Sequence, residues 1–162
     1  MEDLDRRILA LLAADGRMSF TDLGKATGLS TSAVHQRVKR LEIRGLVRSY
    51  SAVLDYDRVG LPLTAFISIR PIDPSQPDDS PERLRGITEI ESCWSVAGEE
   101  SYILKVRVGA PADLEDLLAR IRSAANVSTR TTIVLSTPYE GRPVVTDDGR
   151  PSAQPAQSVS EE

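Results

Sequence analysis

Cys93 is the single cysteine of this 162-residue chain. No intramolecular disulfide can staple the fold, and a reducing cytoplasm is the expected compartment. Histidine is equally scarce, since His35 stands alone. One histidine and one cysteine cannot assemble a nitrogen–sulfur ligand set, so neither a metal nor any other cofactor is expected. Aromatic residues make up only 4% of the chain, which leaves the core to aliphatic side chains. No apolar run approaches the roughly 20 residues that span a bilayer, and no membrane is expected among the partners. The acidic opening Met1-Glu2-Asp3-Leu4-Asp5 lacks the positive charge of a secretory leader. Without a leader, the Asn126-Val127-Ser128 triplet has no meaning as a glycosylation acceptor. No internal repeat is present.

A strong charge of either sign is also missing overall, but the net −4 hides an asymmetry. Residues 1–50 hold nine Lys/Arg against six Asp/Glu, a balance of +3, whereas residues 51–162 hold eleven against eighteen, a balance of −7. A basic front and an acidic back suit a chain in which one domain meets nucleic acid and the other does not.

What the chain does contain is concentrated between Ser19 and Val47, SFTDLGKATGLSTSAVHQRVKRLEIRGLV. Ser19 is a good N-cap, and Asp22 stands three residues on, where its carboxylate reaches back to free amides. Leu23 and Ala26 give this first helix an inward face. Thr27-Gly28-Leu29 breaks it, and Gly28 is suited to a left-handed corner. Ser30 caps the next helix, which runs to about Arg44 and stops at Gly45. Val34, Val38 and Leu41 recur there at four- and three-residue spacing and face the core. The opposite face collects Ser32, Gln36, Lys39 and Arg40, with Thr31 and His35 on its flank. A helix that enters the major groove needs amide and guanidinium groups for base edges, hydroxyls near its N-terminus and cations for phosphates. Ser32, Gln36 and Arg40 supply the first kinds at one-turn intervals. Lys39 and Arg44, joined by His35 or Arg48, supply the phosphate contacts.

Before this stretch, Glu2 to Ala13 reads as a helix with Leu4, Ile8, Leu11 and Leu12 as its stripe, and Glu2, Asp3 and Asp5 suit its N-terminus. After it, Leu46 to Leu54 has strand composition and reads as a wing. The connector follows, punctuated by Asp55-Tyr56-Asp57 and Gly60-Leu61-Pro62. The second half predicts a strand at Leu63–Arg70, a proline-rich loop to Pro81 and a short helix at Glu82–Thr88. Next come a strand at Glu91–Ala97, a turn at Gly98-Glu99-Glu100 and a strand at Tyr102–Val108. A helix opened by Pro111, with Leu114, Leu117, Leu118 and Ile121 inward, leads to a last strand at Thr131–Thr137. The order βαββαβ is that of a ferredoxin-like sandwich. Phe66, Ile67, Ile69, Trp94, Val96, Ile103, Leu104, Val106, Ile133 and Leu135 are too many apolar residues for one side of one sheet. A second apolar face, buried in a dimer, is the expectation. The expected domains are therefore residues 1–62, 63–138 and a flexible tail at 139–162, where Pro, Gly, Ser and acid replace periodicity.

The motifs LDRRILALLAADGRMSFTDLGKATGLSTSAVHQRVKRLEIRGLV and CWSVAGEESYILKV, in this order and spacing, resemble the Lrp/AsnC family of feast/famine regulators. The likeness extends from Leu4 to Thr137. It implies an α+β chain with an N-terminal winged helix-turn-helix and a βαββαβ ferredoxin-like (ACT-like) ligand-sensing domain. It further implies a homodimer, often part of an octamer, that binds pseudo-palindromic double-stranded DNA and regulates transcription in response to a small effector, usually an amino acid. On the family pattern the turn and the start of the following strand line the effector site, here Gly98, Glu99, Glu100, Ser101 and Tyr102, with Val96 and Ala97 preceding them; Thr132, Val134 and Ser136 of the last strand are further candidates for the same pocket. Two departures stand out. The Asp73–Pro81 connection is longer than usual, and Ser101 stands where an aspartate commonly holds the ligand's amino group. Glu99 or Glu100 replaces that aspartate, or amino acids bind weakly, or another ligand is preferred, or the hairpin holds no ligand.

Fold likeness does not settle function. Haem-pathway decarboxylases resemble these regulators, but they rely on histidines for tetrapyrrole chemistry. Here His35 lies on the outward helix, and neither a nucleophile–base pair nor a phosphate-cradling glycine loop appears, so no enzyme is expected. A sensor or adaptor that has lost DNA binding leaves the basic helix face unexplained.

Overall fold

The computed structural model describes residues 2–75 and 77–145. They fall into two compact units, one running to Ala52, with which residues 139–145 group, and one spanning Val53–Pro138.

The first unit is trihelical: α1 (Asp3–Ala14), α2 (Phe20–Thr27) and α3 (Thr31–Ile43). Its core is aliphatic, as the shortage of aromatics requires, with Ile8, Leu23, Val34, Val38 and Leu41 essentially inaccessible. The Ser19 hydroxyl accepts from the Asp22 N–H at 3.1 Å and donates to the Asp22 carboxylate at 2.7 Å. The expected reach of Asp22 back to an amide is thus replaced by a bond to the capping hydroxyl itself. Gly28 takes φ 72° and closes α2. Gly24 is needed for a different reason: a Cβ there would lie 2.7 Å from the Leu29 carbonyl oxygen. The turn between α2 and α3 packs that tightly against the helix, and the Leu29 N–H bonds the Gly24 carbonyl at 3.0 Å. Asp5 does not decorate the α1 terminus as expected. It is turned inward, 8% exposed, and meets Arg37 of α3 at 2.8 Å.

The expected wing strand at residues 46–54 does not form among the described residues. Its composition suits a strand, but a strand exists only against a partner, and none of the described residues pairs with it. Leu46 and Val47 instead bond back to the Leu41 carbonyl, and the Tyr50 hydroxyl donates to Glu42 at 2.9 Å.

The second unit runs β1 (Leu63–Pro71), α4 (Ser80–Leu84), β2 (Ile90–Ser95), β3 (Tyr102–Val108), α5 (Pro111–Ala125) and β4 (Val127–Ile133). The strands form one antiparallel sheet in the order β2-β3-β1-β4, the βαββαβ topology read from the sequence. Alternation sends Ala65, Ile67, Ile69, Leu104 and Val106 toward the helices, where Leu114, Leu117 and Ile121 close the core. Three elements of this unit are clearly displaced from their expected bounds. The first short helix begins two residues early and ends at Leu84. The second strand spans Ile90–Ser95 rather than Glu91–Ala97. The last strand starts at Val127, four residues early, because Asn126 takes a left-handed φ of 52° as the cap of α5 and turns the chain straight into the sheet. Leu135 therefore lies beyond the sheet and is 96% exposed.

The face away from the helices is less apolar than expected. Roughly half of the ten apolar residues were expected there, but Ile67, Ile69, Leu104, Val106 and Ile133, the partner of Ala65, belong to the helix side, leaving Phe66, Trp94 and Ile103 among polar groups. A charged cluster occupies its middle. Glu91 meets Lys105 at 3.0 Å and Arg107 at 2.6 Å, and Arg107 also donates to Thr64 at 2.9 Å. The Arg107 guanidinium lies 3.9 Å over the Tyr56 ring, which fastens the connector to the second unit. Residues 139–145 form neither helix nor strand. The remainder of the expected tail, 146–162, lies outside the described residues.

Candidate nucleic-acid interface and ligand cleft

Helix α3 owes its position to its inner stripe and its cap. Ser30 accepts from the Ala33 N–H at 3.2 Å and lies 3.2 Å from the Ser32 hydroxyl. No acidic residue occupies the first turn, so nothing competes with an anion drawn to the helix N-terminus. Thr31, Ser32, His35, Gln36, Lys39, Arg40 and Arg44 are all exposed. Lys39, Arg40 and Arg44 enter no ion pair with the described residues. Their charges remain available to a polyanion. The Phe20 ring meets His35 edge-on with centroids 5.0 Å apart, so the start of α2 orients this histidine, a support that helical periodicity does not reveal.

Arg37 is the one cation of α3 that is already committed. Its guanidinium donates to Glu2 at 2.7 Å and Asp5 at 2.8 Å. These bonds, Glu2 first and Asp5 second, raise its already high pKa. The side chain is 19% exposed. It braces α3 against α1 and is no part of the outward face.

In the second unit an open cleft of about 190 Å³ lies where the β2–β3 hairpin reaches over β1 toward β4, lined by Ser68, Arg70, Glu99, Glu100, Ser128 and Arg130, with Ile69 and Thr129. The hairpin is seated by the Ser101 N–H, which donates to the Ile69 carbonyl at 3.0 Å, and by the Val96 N–H to the Ser101 carbonyl at 3.1 Å. Glu100 forms an ion pair with Arg130 across the cleft. Ser128 donates to the Arg70 carbonyl at 3.3 Å. Arg70 and Glu99 are exposed and enter no ion pair with the described residues.

Of the ten residues expected to meet an effector, Glu99 and Glu100 line this cleft. Val96, Ala97, Gly98 and Ser101 form the hairpin behind them. Tyr102 turns the other way, 9% exposed within the helix-side core, where burial and then Asp78 raise its phenol pKa. Thr132 lies on β4 but outside the lining, Val134 follows the strand end, and Ser136 lies beyond it. The early start of β4 is the cause: it brings Ser128 and Arg130 to the cleft instead. Gly98 has ordinary backbone geometry, and a Cβ there would meet nothing within 4 Å, so this chain's own packing does not demand a glycine. Periodicity missed Arg70, Ser128 and Arg130. An alternation count anchored at Asn126 rather than Thr131 finds the last two.

Burial and then Glu82 push the Cys93 thiol pKa up, the opposite of what a nucleophile needs. No cluster of three or more metal-ligating side chains occurs among the described residues. No helix among them is long and apolar enough to cross a membrane.

A family model described as the AsnC-type helix-turn-helix domain matches residues 1–42, and the Lrp/AsnC ligand binding domain matches residues 64–144. The chain is 56% identical over 142 residues to the HTH-type transcriptional regulator LrpA of Mycobacterium tuberculosis, covering 88% of this chain and 95% of that protein. It is 33% identical over 140 residues to the leucine-responsive regulatory protein of Haemophilus influenzae, covering 83% and 84%. The solved structure of a feast or famine regulatory protein from M. tuberculosis complexed with L-methionine is similar at a TM-score of 0.87 and 55% identity, over 90% of this chain and 99% of that one.

Proposed function

The chain belongs to the Lrp/AsnC family of helix-turn-helix transcriptional regulators, and we propose that it reads an operator with the outer face of α3 and senses an amino acid in the cleft beside Arg70. The single observation that carries the DNA-reading assignment is the set Lys39, Arg40 and Arg44, exposed and without ion pairs among the described residues, on a capped helix whose one inward cation is already bound. Ser32, Gln36 and Arg40 approach base edges, while Lys39, Arg44 and Thr31 contact phosphates, with His35 oriented by Phe20 at their side. The sensing assignment rests on the unpaired Arg70 and Glu99, one cation and one anion suited to a zwitterion. The L-methionine complex of the related regulator supports the same ligand class.

The working form is a homo-oligomer in the cytoplasm, a dimer or a larger ring, on a pseudo-palindromic site. Phe66 and Trp94, 36% and 47% exposed on the helix-free face, favour burial against a second copy. The curated relatives are named as regulators rather than enzymes, and the haem-decarboxylase alternative finds no histidine outside α3. A gel shift with DNA from upstream of the protein's own coding sequence tests the reading. Retarded complexes whose stability changes on adding an amino acid support it. No complex at low salt overturns it.

A further inference from the structure

Phe20 is an apolar side chain that the core does not use. It opens α2, is 38% exposed and lies outside the aliphatic cluster of the first unit, so the packing of the three helices does not account for it. Its aromatic neighbour is His35 on the flank of α3, with centroids 5.0 Å apart and ring planes at 81°. We infer that His35 reads a guanine by donating to its N7, and that Phe20 is a positioning residue that holds the imidazole in the orientation this contact needs. The inference rests on the DNA-reading role proposed above and adds a specific base to it.

His35 is exposed and makes no hydrogen bond or ion pair among the described residues, so both ring nitrogens are open to a partner. An imidazole keeps at least one N–H donor whether neutral or charged. His35 stands at the fifth position of α3, beside Gln36 and ahead of Lys39 and Arg44. A recognition helix contacts base edges with its N-terminal residues. Long cations further along suit phosphates.

The contact with Phe20 favours a base over a phosphate. A phosphate offers acceptor oxygens in several directions and asks for no fixed donor. A base edge presents its acceptors in one plane, and a donor that is already oriented loses less side-chain freedom on binding. Without support, a histidine on a helix surface would sample several rotamers. Edge-to-face packing against Phe20 supplies the missing restraint. Guanine fits a lone donor best, because N7 and O6 are adjacent acceptors on its major-groove edge. Adenine sets a donating amino group beside N7, cytosine offers a donor alone, and thymine places a methyl group beside O4.

Selection of bound duplexes from a randomised library by the full-length protein tests this, with wild type, His35→Ala, Phe20→Leu and Phe20→Tyr compared. In the wild-type profile one position of each half-site should favour guanine by about fivefold or more. His35→Ala should lose that preference and keep those at the other positions. Phe20→Leu should lose it at the same position with His35 still in place, whereas Phe20→Tyr, which keeps the ring, should retain it. Far-UV circular dichroism should be the same for all four proteins. Replacing that guanine with 7-deazaguanine, which pairs normally but lacks N7, should weaken the wild type by about fivefold and leave His35→Ala unaffected. An unaltered profile for His35→Ala, or equal weakening at every position, overturns the base contact while leaving DNA reading in place. Loss of preference for a different base overturns the guanine assignment. Retention of the guanine preference by Phe20→Leu overturns the positioning role. Failure of the wild type to bind any duplex overturns the DNA-reading role as well.

Discussion

Lys39 and Arg40 are neighbours on α3, yet their loss should read out differently. Arg40→Ala is expected to cost about 1–3 kcal/mol on the preferred sequence and to flatten discrimination between sequences, as a base contact does. Lys39→Ala should weaken all sequences alike and lower the slope of log affinity against log salt by about one. Fluorescence anisotropy with operator and scrambled DNA separates the two, and no change for either substitution would remove both from the interface. Arg37 supplies the control, since its charge is spent on Glu2 and Asp5. Arg37→Gln should leave the salt slope unaltered while reducing affinity through a misplaced helix. The outward face was legible because helical periodicity sorts α3 unambiguously. Arg37 was not, because its partners lie on α1, and sequence spacing does not show which long-range ion pairs form.

At the scale of elements, Gly24 is where the helix-turn-helix is tightest. In an open helix, replacing glycine with alanine gains up to about 1 kcal/mol. Here the added Cβ would press on the Leu29 carbonyl oxygen at 2.7 Å, and backbone that caps a turn has little room to retreat. Gly24→Ala should therefore destabilise the protein, by about 1–3 kcal/mol as overpacking does, measurable as a lower thermal midpoint. An unchanged or raised midpoint would show that the turn yields.

The sheet carries a pH-dependent element. Burial alone would raise the Glu91 pKa, but the bonds from Arg107 and Lys105 outweigh it and bring it below the ordinary value. A carboxylate with a lowered folded pKa stabilises the fold above its unfolded value, and that contribution is lost as pH falls through the folded one. Wild-type thermal stability should fall on acidification below about pH 4.3, and Glu91→Gln should show a shallower fall over the same range. Identical profiles would deny the network any stabilising role. The order of elements in this unit was legible from alternation and helical stripes. The start of β4 was not, because Asn126 ends α5 by taking a conformation that few residues other than glycine adopt. The missing wing strand marks the same limit, since propensity is local whereas pairing requires a partner.

For the whole molecule, a sheet with helices on one side leaves Phe66, Trp94 and Ile103 uncovered around the Glu91–Lys105–Arg107 cluster. Two copies or more should cover that face. Light scattering at micromolar concentration should return at least twice the monomer mass, and Trp94→Glu should lower it. A monomer mass for the wild type would contradict this. Alternation was expected to put roughly half of the ten counted apolar residues on that face; the register leaves three, because Ile133 pairs with Ala65 and joins Ile67, Ile69, Leu104 and Val106 on the helix side, while Val96 and Leu135 fall outside the strands.

If the basic outer face of α3 reads DNA sequence, operator and random DNA must be told apart. The most direct measurement is the affinity of the full-length protein for upstream operator DNA and for random DNA across a salt series. Log affinity should fall linearly with log salt for both, with the operator favoured by about a thousandfold or more at physiological salt. Equal affinity for both sequences at every salt concentration, or no binding to either, would contradict it.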